Sequence, residues 1–480
     1  MPSYSHFSRP ITQRTNPIPE AGLGQCLAIL HSIGAHYGLE ASASLSWLIA
    51  GYSLTVGTFI LPSGRAGDVF GYKRLFLLGF AWFALWSLVL GLAWWSNHVL
   101  FVFARVLQGV GPALVLTNGL ALLGASYSPG PRKSMVFSLF GACAPGGSVV
   151  GSVFASLFDL VWWPWAFFVF AIVLVLVVVA GWFVIPDPPR RMATHGESLS
   201  QKLMDLDPLG AVTGVTALVL FNFAWNQAPI VGWNEPYVYV LLIIGLLFFV
   251  LFFYIELRVS KEPLIPFHAL STDVIFVLGC VACGWSMFGI WVFYIWQIFE
   301  TLRGASPLLS SAYLSPVTIS GTLAAIMTGF LLGRLRPAYV MLFAMVFFNV
   351  GIILLVTCPV DQIYWAQTFV CTLVIPWGMD MSFPAATLIL SNAVSKRHQG
   401  IAASLVNTVV NYSISLGLGL AGTVEVHVNN GGNTPAQLLK GYRGALYMGV
   451  GLAGLGFVIA LAFLIKSHVE DRKPKPEAES

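Results

Sequence analysis

Long runs of apolar residues recur along this chain and are separated by short polar segments. Phe167–Val184 and Val238–Tyr254, for example, contain no charged residue. A strand of a membrane barrel alternates apolar and polar residues, whereas a helix needs about 20 consecutive apolar residues to cross a bilayer. The pattern therefore predicts an all-α polytopic membrane protein. Its fourteen predicted spans are Ala21–Leu39, Leu45–Ser63, Leu75–Trp95, Val99–Ser126, Ser134–Phe158, Val161–Ile185, Leu209–Trp225, Tyr237–Ile255, Val274–Phe299, Leu308–Gly333, Ala338–Thr357, Tyr364–Leu390, Gly400–Thr423 and Gly444–Ile465.

The composition supports this fold class. Of the 480 residues, 57% are hydrophobic and 9% are charged. Ordinary soluble domains have roughly 45–50% apolar and about 25% charged residues, so a soluble globular protein is excluded. The six cysteines fall in or beside apolar segments, where we expect packing rather than a metal site or a disulfide. The sequence contains no P-loop and no catalytic spacing of His, Asp and Glu, so we predict neither an enzyme nor a cofactor.

The placement of Lys and Arg predicts the orientation in the membrane. If both termini face the cytoplasm, 20 of the 24 Lys and Arg residues lie on the cytoplasmic side. Only Arg303, Lys440 and Arg443 then lie outside, and Arg105 lies within a span. Because cytoplasmic loops are enriched in Lys and Arg, this asymmetry favours the orientation and an even number of spans.

A polar segment after the sixth span and a weak internal repeat predict two bundles. Gly64-Arg65 follows the second span, and Gly333-Arg334 follows the tenth. Duplicated bundles with a binding site between them are common in secondary transporters. The predicted order is a cytoplasmic tail (1–20), an N-terminal six-helix bundle (21–185), a cytoplasmic linker (186–208), two inserted helices with their connecting loop (209–271), a C-terminal six-helix bundle (272–465) and a second cytoplasmic tail (466–480).

The turn after the second span carries a motif. Glycines at both ends permit a tight turn, an acid can cap or pair at a helix N-terminus, and two cations hold the turn at the cytoplasmic face. These residues are Gly64, Asp68, Gly71, Lys73 and Arg74. The segment resembles the signature loop of the major facilitator superfamily, from which Ala66 and Val69 depart. The alternative is a generic basic turn.

Two more spans strengthen the resemblance. In span 4, Arg105 with Gln108 and Gly109 is similar to a second motif of that family. Span 5 resembles the helix-bending motif of drug:proton antiporters, with the glycine before the proline replaced. Its residues are Gly141, Pro145, Gly146, Gly147 and Gly151. The altered order, together with the segments 21–25, 52–59 and 378–387, is most similar to the fungal aminotriazole-resistance branch of the fourteen-span antiporters.

Asp380 is the only acidic residue near the middle of a predicted span. A carboxyl group inside the membrane is costly and commonly marks a functional site. The internal repeat makes span 12 the counterpart of span 4, so we expect Asp380 and Arg105 to face each other across a central cavity and to couple transport to protons. The alternatives are an Asp380 bonded to a neighbouring helix and an Arg105 that reaches the membrane surface. Glu300 and Asp159, which end spans 9 and 5, are expected to stay solvated.

By analogy with the superfamily, spans 1, 4, 9 and 12 line the substrate path. Candidate residues of this path are Gln25, His31, Trp285 and Gln297. A lone histidine more often has a packing role, so His31 is the second candidate for proton coupling, after Asp380.

The resemblance implies a proton-coupled efflux transporter, an antiporter that exports small organic toxins, drugs or secondary metabolites by alternating access. Its implied partners are a small-molecule substrate, protons and the lipid bilayer, with no nucleic acid, and its implied functional unit is a monomer. We expect a multi-pass protein of the plasma membrane, or of a vacuolar or other internal membrane. The alternatives are a proton-driven importer or facilitator of a small polar solute, a borate exporter, and a non-transporting receptor.

Overall fold

The computed structural model of the chain describes residues 17–39, 41–126, 146–185, 204, 206–260, 263–265, 267, 272–393 and 399–471. All regular structure in these residues is helical, as the apolar runs predict. In the membrane a helix satisfies its own backbone hydrogen bonds, which is why long apolar runs adopt this form. Numbered after the predicted spans, the helices are α1 (Pro17–Ala28 and Leu30–Tyr37), α2 (Ser42–Phe70), α3 (Tyr72–Leu92), α4 (His98–Gln108 and Val110–Ser126), α5 (146–159), α6 (Pro164–Val184), α7 (Pro208–Val231), α8 (Pro236–Tyr254), α9 (Thr272–Gln297), α10 (Pro307–Leu314 and Pro316–Leu332), α11 (Pro337–Thr357), α12 (Gln367–Ala393), α13 (Gln399–Asn429) and α14 (Pro435–Asp471).

Twelve helices in the described residues are long and apolar enough to cross a membrane, namely α2 to α4 and α6 to α14. The first predicted span is divided at Ile29 into segments of 12 and 8 residues. Part of the fifth, residues 134–145, lies outside the described residues. The count of fourteen therefore stays a prediction. Residues 17–20 and 466–471, which were predicted as parts of the two tails, are helical.

Two of the crossing helices are interrupted, each for a local reason. At the break in α4, a Cβ on Gly109 would lie 2.4 Å from the carbonyl oxygen of Tyr52, so a glycine is needed where α4 meets α2. α10 restarts at Pro316, whose ring nitrogen has no hydrogen to donate to the preceding turn. These breaks bend the helices without dividing the spans.

The helices pack in two groups. α3 packs against α4 and α6, whereas α9 packs against α13 and α14, and α11 against α12 and α14. The groups meet where α2 runs along α13, so closely that a Cβ on Gly57 would lie 2.6 Å from the backbone nitrogen of Tyr412. α7 packs against both α2 and α13, and α8 packs on α7. α8 exposes apolar side chains such as Leu247 and Val250, which a bilayer would cover.

Candidate functional site

Arg105 is fully buried in α4, and main-chain carbonyl groups surround its side chain. Its Nε donates to the carbonyl oxygen of Leu48 at 2.9 Å, and Nη2 donates to that of Gly22 at 2.8 Å. Nη1 donates to Oε1 of Gln108, and the guanidinium lies 4.3 Å from the centre of the Tyr52 ring. A buried cation is tolerated when its donors are hydrogen-bonded and an aromatic face lies beside it. Arg105 thus connects α1, α2 and α4.

Gln108 extends this network to α3. Its Nε2 donates to Oγ of Ser87 at 2.8 Å, and that hydroxyl donates to the carbonyl oxygen of Phe83 at 2.7 Å. The buried polar groups at the centre of the first group of helices are thus hydrogen-bonded in series. Arg105 therefore does not extend to the membrane surface. Such an extension was the alternative interpretation left open by the sequence.

Asp380 lies in α12, midway between Pro376 and Pro384, and is half-buried. Its Oδ2 atom is buried and has no hydrogen-bond partner among the described residues. Pro384 has no amide hydrogen, so the carbonyl oxygen of Asp380, four residues earlier, loses its usual helical donor. No ion pair connects Asp380 to Arg105 in the described part of the chain. The structure brings neither residue into contact with the other.

The candidate residues of the substrate path lie on α1 and α9. Gln25 and Gln297 are buried, and Gln25 Oε1 and Nε2 and Gln297 Nε2 have no hydrogen-bond partner among the described residues. The indole of Trp285 donates to Oγ of Ser382 at 3.2 Å, two residues from Asp380. Buried polar atoms are normally hydrogen-bonded, so these amide groups stay candidates for contact with a ligand or water.

Polar contacts join the two groups of helices at their predicted outer ends. His31 Nε2 lies 3.8 Å from Oε2 of Glu300 and 3.4 Å from Oγ1 of Thr301, which connects α1 to the end of α9. The hydroxyls of Ser156 and Ser311 are 2.9 Å apart, which connects α5 to α10. The groups are therefore in contact on the predicted outer side.

Two acids at this end, Glu300 and Asp159, were predicted from the sequence to stay solvated. The side chain of Glu300 is only 6% exposed, and its Oε1 is buried without a hydrogen-bond partner among the described residues. It is buried because helical structure continues beyond α9 to Leu302 and packs against α1. Asp159 is half-buried, and its Oδ2 accepts a hydrogen bond from Ser32 at 2.9 Å. The prediction was wrong for Glu300.

The sequence analysis missed Glu425, a second buried acid. It lies in α13, is 5% exposed, and its Oε2 accepts a hydrogen bond from the hydroxyl of Tyr294 at 2.6 Å. Nearby, the hydroxyl of Ser42 at the start of α2 lies 3.4 Å from that of Tyr442. The predicted span ended at Thr423, which left Glu425 outside. Extending the apolar run by one helical turn would have found it.

In the signature segment, the turn lies at a different position from the predicted one. α2 continues through Gly64 and Asp68 to Phe70, and α3 begins at Tyr72, so Gly71 alone makes the turn, with φ +98°. Gly64 is thus a helical residue rather than a turn residue. Asp68 does not cap a helix N-terminus, because it lies in the last turn of α2, where Oδ1 accepts a hydrogen bond from Tyr72. Two further motif residues follow, with Lys73 half-buried and Arg74 exposed.

The helix-bending motif is described only in part. Gly141 and Pro145 lie outside the described residues, whereas Gly146, Gly147 and Gly151 lie in α5. A Cβ on Gly151 would lie 2.2 Å from the carbonyl oxygen of Ala21, so α5 and α1 approach too closely for a larger residue. This glycine is required for close helix packing.

The chain matches one known family over most of its length. The model of the Major Facilitator Superfamily matches residues 26–262 and 274–480. In solved structures, a peptide transporter POT in complex with alafosfalin superimposes with a TM-score of 0.68 over 96% of this chain and 94% of the other, at 14% identity. That likeness shows the fold alone.

Relatives of similar length carry different names. The chain is 56% identical to a low affinity ammonium transporter of Saccharomyces cerevisiae, over 95% of this chain and 87% of the relative. It is 47% identical to the efflux pump terJ of Aspergillus terreus, over 96% and 88%. It is 39% identical to the aminotriazole resistance protein of Saccharomyces cerevisiae, over 98% and 86%. The names of these relatives give different activities: ammonium transport, efflux and aminotriazole resistance.

Proposed function

We propose that this chain, which belongs to the major facilitator superfamily, exports small organic compounds from the cytoplasm in exchange for protons. The observation that carries the proposal is a buried carboxylate oxygen of Asp380, which lies in α12 between two prolines and has no hydrogen-bond partner in the described part of the chain. A carboxyl group without a fixed partner can take up and release a proton at little structural cost. The prolines leave the helix able to bend around it.

The proposed mechanism is alternating access between the two groups of helices. In this structure the predicted outer ends are in contact through His31 with Glu300 and through Ser156 with Ser311. Substrate would enter from the cytoplasm while Asp380 is deprotonated. The groups would then rock so that these contacts break, and protonation of Asp380 from outside would release the substrate. The roles of Asp380 and of the path residues Gln25, Trp285 and Gln297 are part of this proposal.

Two features support export of small organic compounds. The path residues combine an indole, Trp285, with amide groups of Gln25 and Gln297, which suits an amphipathic ligand with few polar groups. Two relatives at 47% and 39% identity are named as an efflux pump and as a resistance protein. Membership of the aminotriazole-resistance branch, a monomeric functional unit and a plasma-membrane position also remain proposals.

A second candidate is the movement of ammonium, which would be the small polar solute of the alternative prediction. It is favoured by the relative named as a low affinity ammonium transporter, at 56% identity. The unpartnered acceptors Gln25 Oε1 and Asp380 Oδ2 could each accept a hydrogen bond from that cation.

One experiment distinguishes the two candidates. The purified chain is reconstituted into liposomes with an imposed pH gradient, and fluxes of methylammonium and of 3-aminotriazole are measured in parallel. Export predicts that aminotriazole moves against its gradient in exchange for protons, with methylammonium flux equal to that of empty liposomes. Methylammonium flux without aminotriazole movement would overturn the export proposal and favour the second candidate.

The fourteen-span topology is proposed on the charge asymmetry and on the two helical segments of α1. With both termini inside, a cysteine placed at Gly431 faces outside and one placed at His195 faces the cytoplasm. A membrane-impermeant thiol reagent applied to whole cells should label the first and spare the second, in a variant without the native cysteines. Labelling of both from one side would contradict the proposed map.

A further inference from the structure

The outer contact between the two groups of helices contains a buried carboxyl group, that of Glu300. It lies in a wide helical turn, residues 298–302, in which the backbone nitrogen of Arg303 donates to the carbonyl oxygen of Ile298 at 3.0 Å. Single turns of this π-helical type are frequent at functional sites. The side chain of Glu300 is 6% exposed, so it is shielded from water although it lies at the end of the helix.

The carboxyl group of Glu300 has few partners. Its Oε1 is buried, and no donor among the described residues reaches it. Its Oε2 lies 3.8 Å from Nε2 of His31 on α1, and the side chain of His31 is 30% exposed. In the described part of the chain, His31 is the one group within 4.0 Å of Glu300 that can become a cation. A buried charged carboxylate is costly unless a cation or hydrogen-bond donors compensate it.

The other charges near this turn do not compensate Glu300. Asp159 on α5 acts on it as a like charge. The guanidinium of Arg303 donates instead to α12 and to the segment after α11, and that of Arg443 donates to a backbone carbonyl group. Lys440 is exposed. The remaining titratable groups that contact the turn, from α10 and α14, are the phenols of Tyr313 and Tyr442, which are neutral near neutral pH.

We propose that Glu300 and His31 together hold one proton while the outer ends of the two groups are in contact, and that this contact forms by taking up the proton from outside. The inference rests on the alternating access of the proposed function. With the proton on Glu300 both side chains are neutral, and with the proton on His31 they form an ion pair. Without it, a buried carboxylate would face a neutral imidazole and the charge of Asp159.

The proton is released when the outer ends separate. Separation exposes both side chains to water, where glutamate and histidine are both deprotonated above neutral pH. The contact then binds one more proton than the separated arrangement, so raising the pH favours separation, by up to about tenfold in the population ratio for each pH unit. In more acidic solution the solvated imidazole is protonated as well, and the dependence disappears. The empty exporter would thus close its outer side only after binding a proton from outside.

The test measures the distance between the outer ends as the pH is raised. Spin labels are attached to cysteines at Leu160, after α5, and at Ile363, between α11 and α12, which are both exposed. The full chain without its native cysteines is placed in lipid nanodiscs without substrate, and the distances are measured by double electron–electron resonance. We expect the fraction at the longer distance to rise with pH. Glu300→Gln should lose this rise and stay at the shorter distance, because the amide does not ionise.

The matched control is Glu235→Gln, which changes an exposed acid at the start of α8 and should keep the rise. A distance independent of pH in the unmodified chain would overturn the proposal. So would a rise that persists in Glu300→Gln and is lost in Asp380→Asn, because the proton that controls the contact would then lie on Asp380.

A second variant tests the sharing of the proton and covers the case in which Glu300→Gln does not fold. In His31→Gln, a solvated Glu300 stays deprotonated down to the usual titration range of a carboxyl group. The onset of the rise should therefore move to lower pH by about two units, the difference between the ordinary ranges of histidine and glutamate. An unchanged onset would show that His31 does not share the proton and would overturn the proposal.

The distance measurement and the liposome assay of the proposed function fail separately. Proton-driven flux with an outer distance that is independent of pH would leave the proposed function standing and remove this inference. A distance that depends on pH through Glu300, in a protein that does not exchange protons for aminotriazole, would remove the export proposal and leave the proton site standing.

Discussion

Arg105 in α4 and Asp380 in α12 are both ionisable residues within membrane-spanning helices, yet their surroundings differ. Arg105 donates to Leu48, Gly22 and Gln108, and an aromatic face lies 4.3 Å away. Asp380 keeps a buried oxygen with no hydrogen-bond partner among the described residues. Each guanidinium nitrogen of Arg105 thus donates a hydrogen bond within the fold, whereas a buried oxygen of Asp380 accepts none from the described residues.

From this difference we propose different roles for Arg105 and Asp380, which the sequence had presented as a pair. A satisfied cation holds helices together, and changing its protonation or its partners would cost stability. An unsatisfied acid contributes little to stability but can exchange a proton or contact a ligand. Substitution of Arg105 should therefore impair folding, whereas substitution of Asp380 should impair transport and leave folding intact.

The largest effect is expected from Arg105→Leu. The substitution removes three hydrogen bonds from a charged donor, each contributing about 1.5–3 kcal/mol, and leaves Oε1 of Gln108 buried without a donor. We expect little folded protein after extraction, measured as the monodisperse fraction in size-exclusion chromatography. Asp380→Asn, the matched substitution in α12, should give the yield of the unmodified chain. Equal yields for both would contradict the comparison.

The next effect concerns the packing of α5 against α1, beside the Arg105 network. Gly151→Val should lower the thermal midpoint, because the added carbons overlap the backbone at Ala21. Overpacking of this kind costs about 1–3 kcal/mol. Gly454→Ala in α14 is the control, since a Cβ there meets nothing within 4 Å. A destabilisation equal to that of the control would show that α5 can shift without cost.

Glu425 is intermediate between Arg105 and Asp380, because it is a buried acid whose carboxylate accepts a hydrogen bond from Tyr294. Tyr294→Phe removes that donor and should destabilise the protein by about 1–3 kcal/mol. Glu425→Gln should cost less, because the amide oxygen still accepts from Tyr294. Tyr239→Phe, on the exposed surface of α8, controls for loss of a hydroxyl. The thermal unfolding midpoints of the three variants are compared. If Tyr294→Phe is as stable as the control, the hydrogen bond from Tyr294 to Glu425 does not stabilise the fold.

The smallest effect on stability is expected at Asp68, which is exposed at the end of α2. Asp68→Asn should leave the thermal midpoint unchanged but slow turnover, because we propose that this turn rearranges when the two groups of helices move. Substrate binding should persist. Glu235→Gln, an exposed acid at the start of α8, is the control. Val69 stands at a position where the chain departs from the family's motif. Unchanged turnover for Asp68→Asn would show that this departure has already made Asp68 dispensable for transport.

The apolar runs predicted the helices well, since a bilayer requires long apolar segments and the described residues contain twelve helices long and apolar enough to cross it. Two partners of Arg105, the carbonyl oxygens of Leu48 and Gly22, could not be predicted, because they lie on other helices and come close only through tertiary packing. Sequence spacing also misplaced the turn of the signature segment, because helical hydrogen bonds continue through Gly64 until Gly71. Burial of Glu300 depends on contact between distant helices, which no local pattern reveals.

The central claim is that Asp380 couples proton movement to transport without supporting the fold. The direct measurement is uptake of a transported compound into liposomes containing Asp380→Asn, with and without an imposed pH gradient, beside the unmodified chain. We expect that the variant folds, binds and exchanges the compound, but no longer concentrates it when the gradient is applied. If the variant concentrates the compound with unchanged dependence on the gradient, Asp380 is not the coupling residue, and His31 becomes the first alternative.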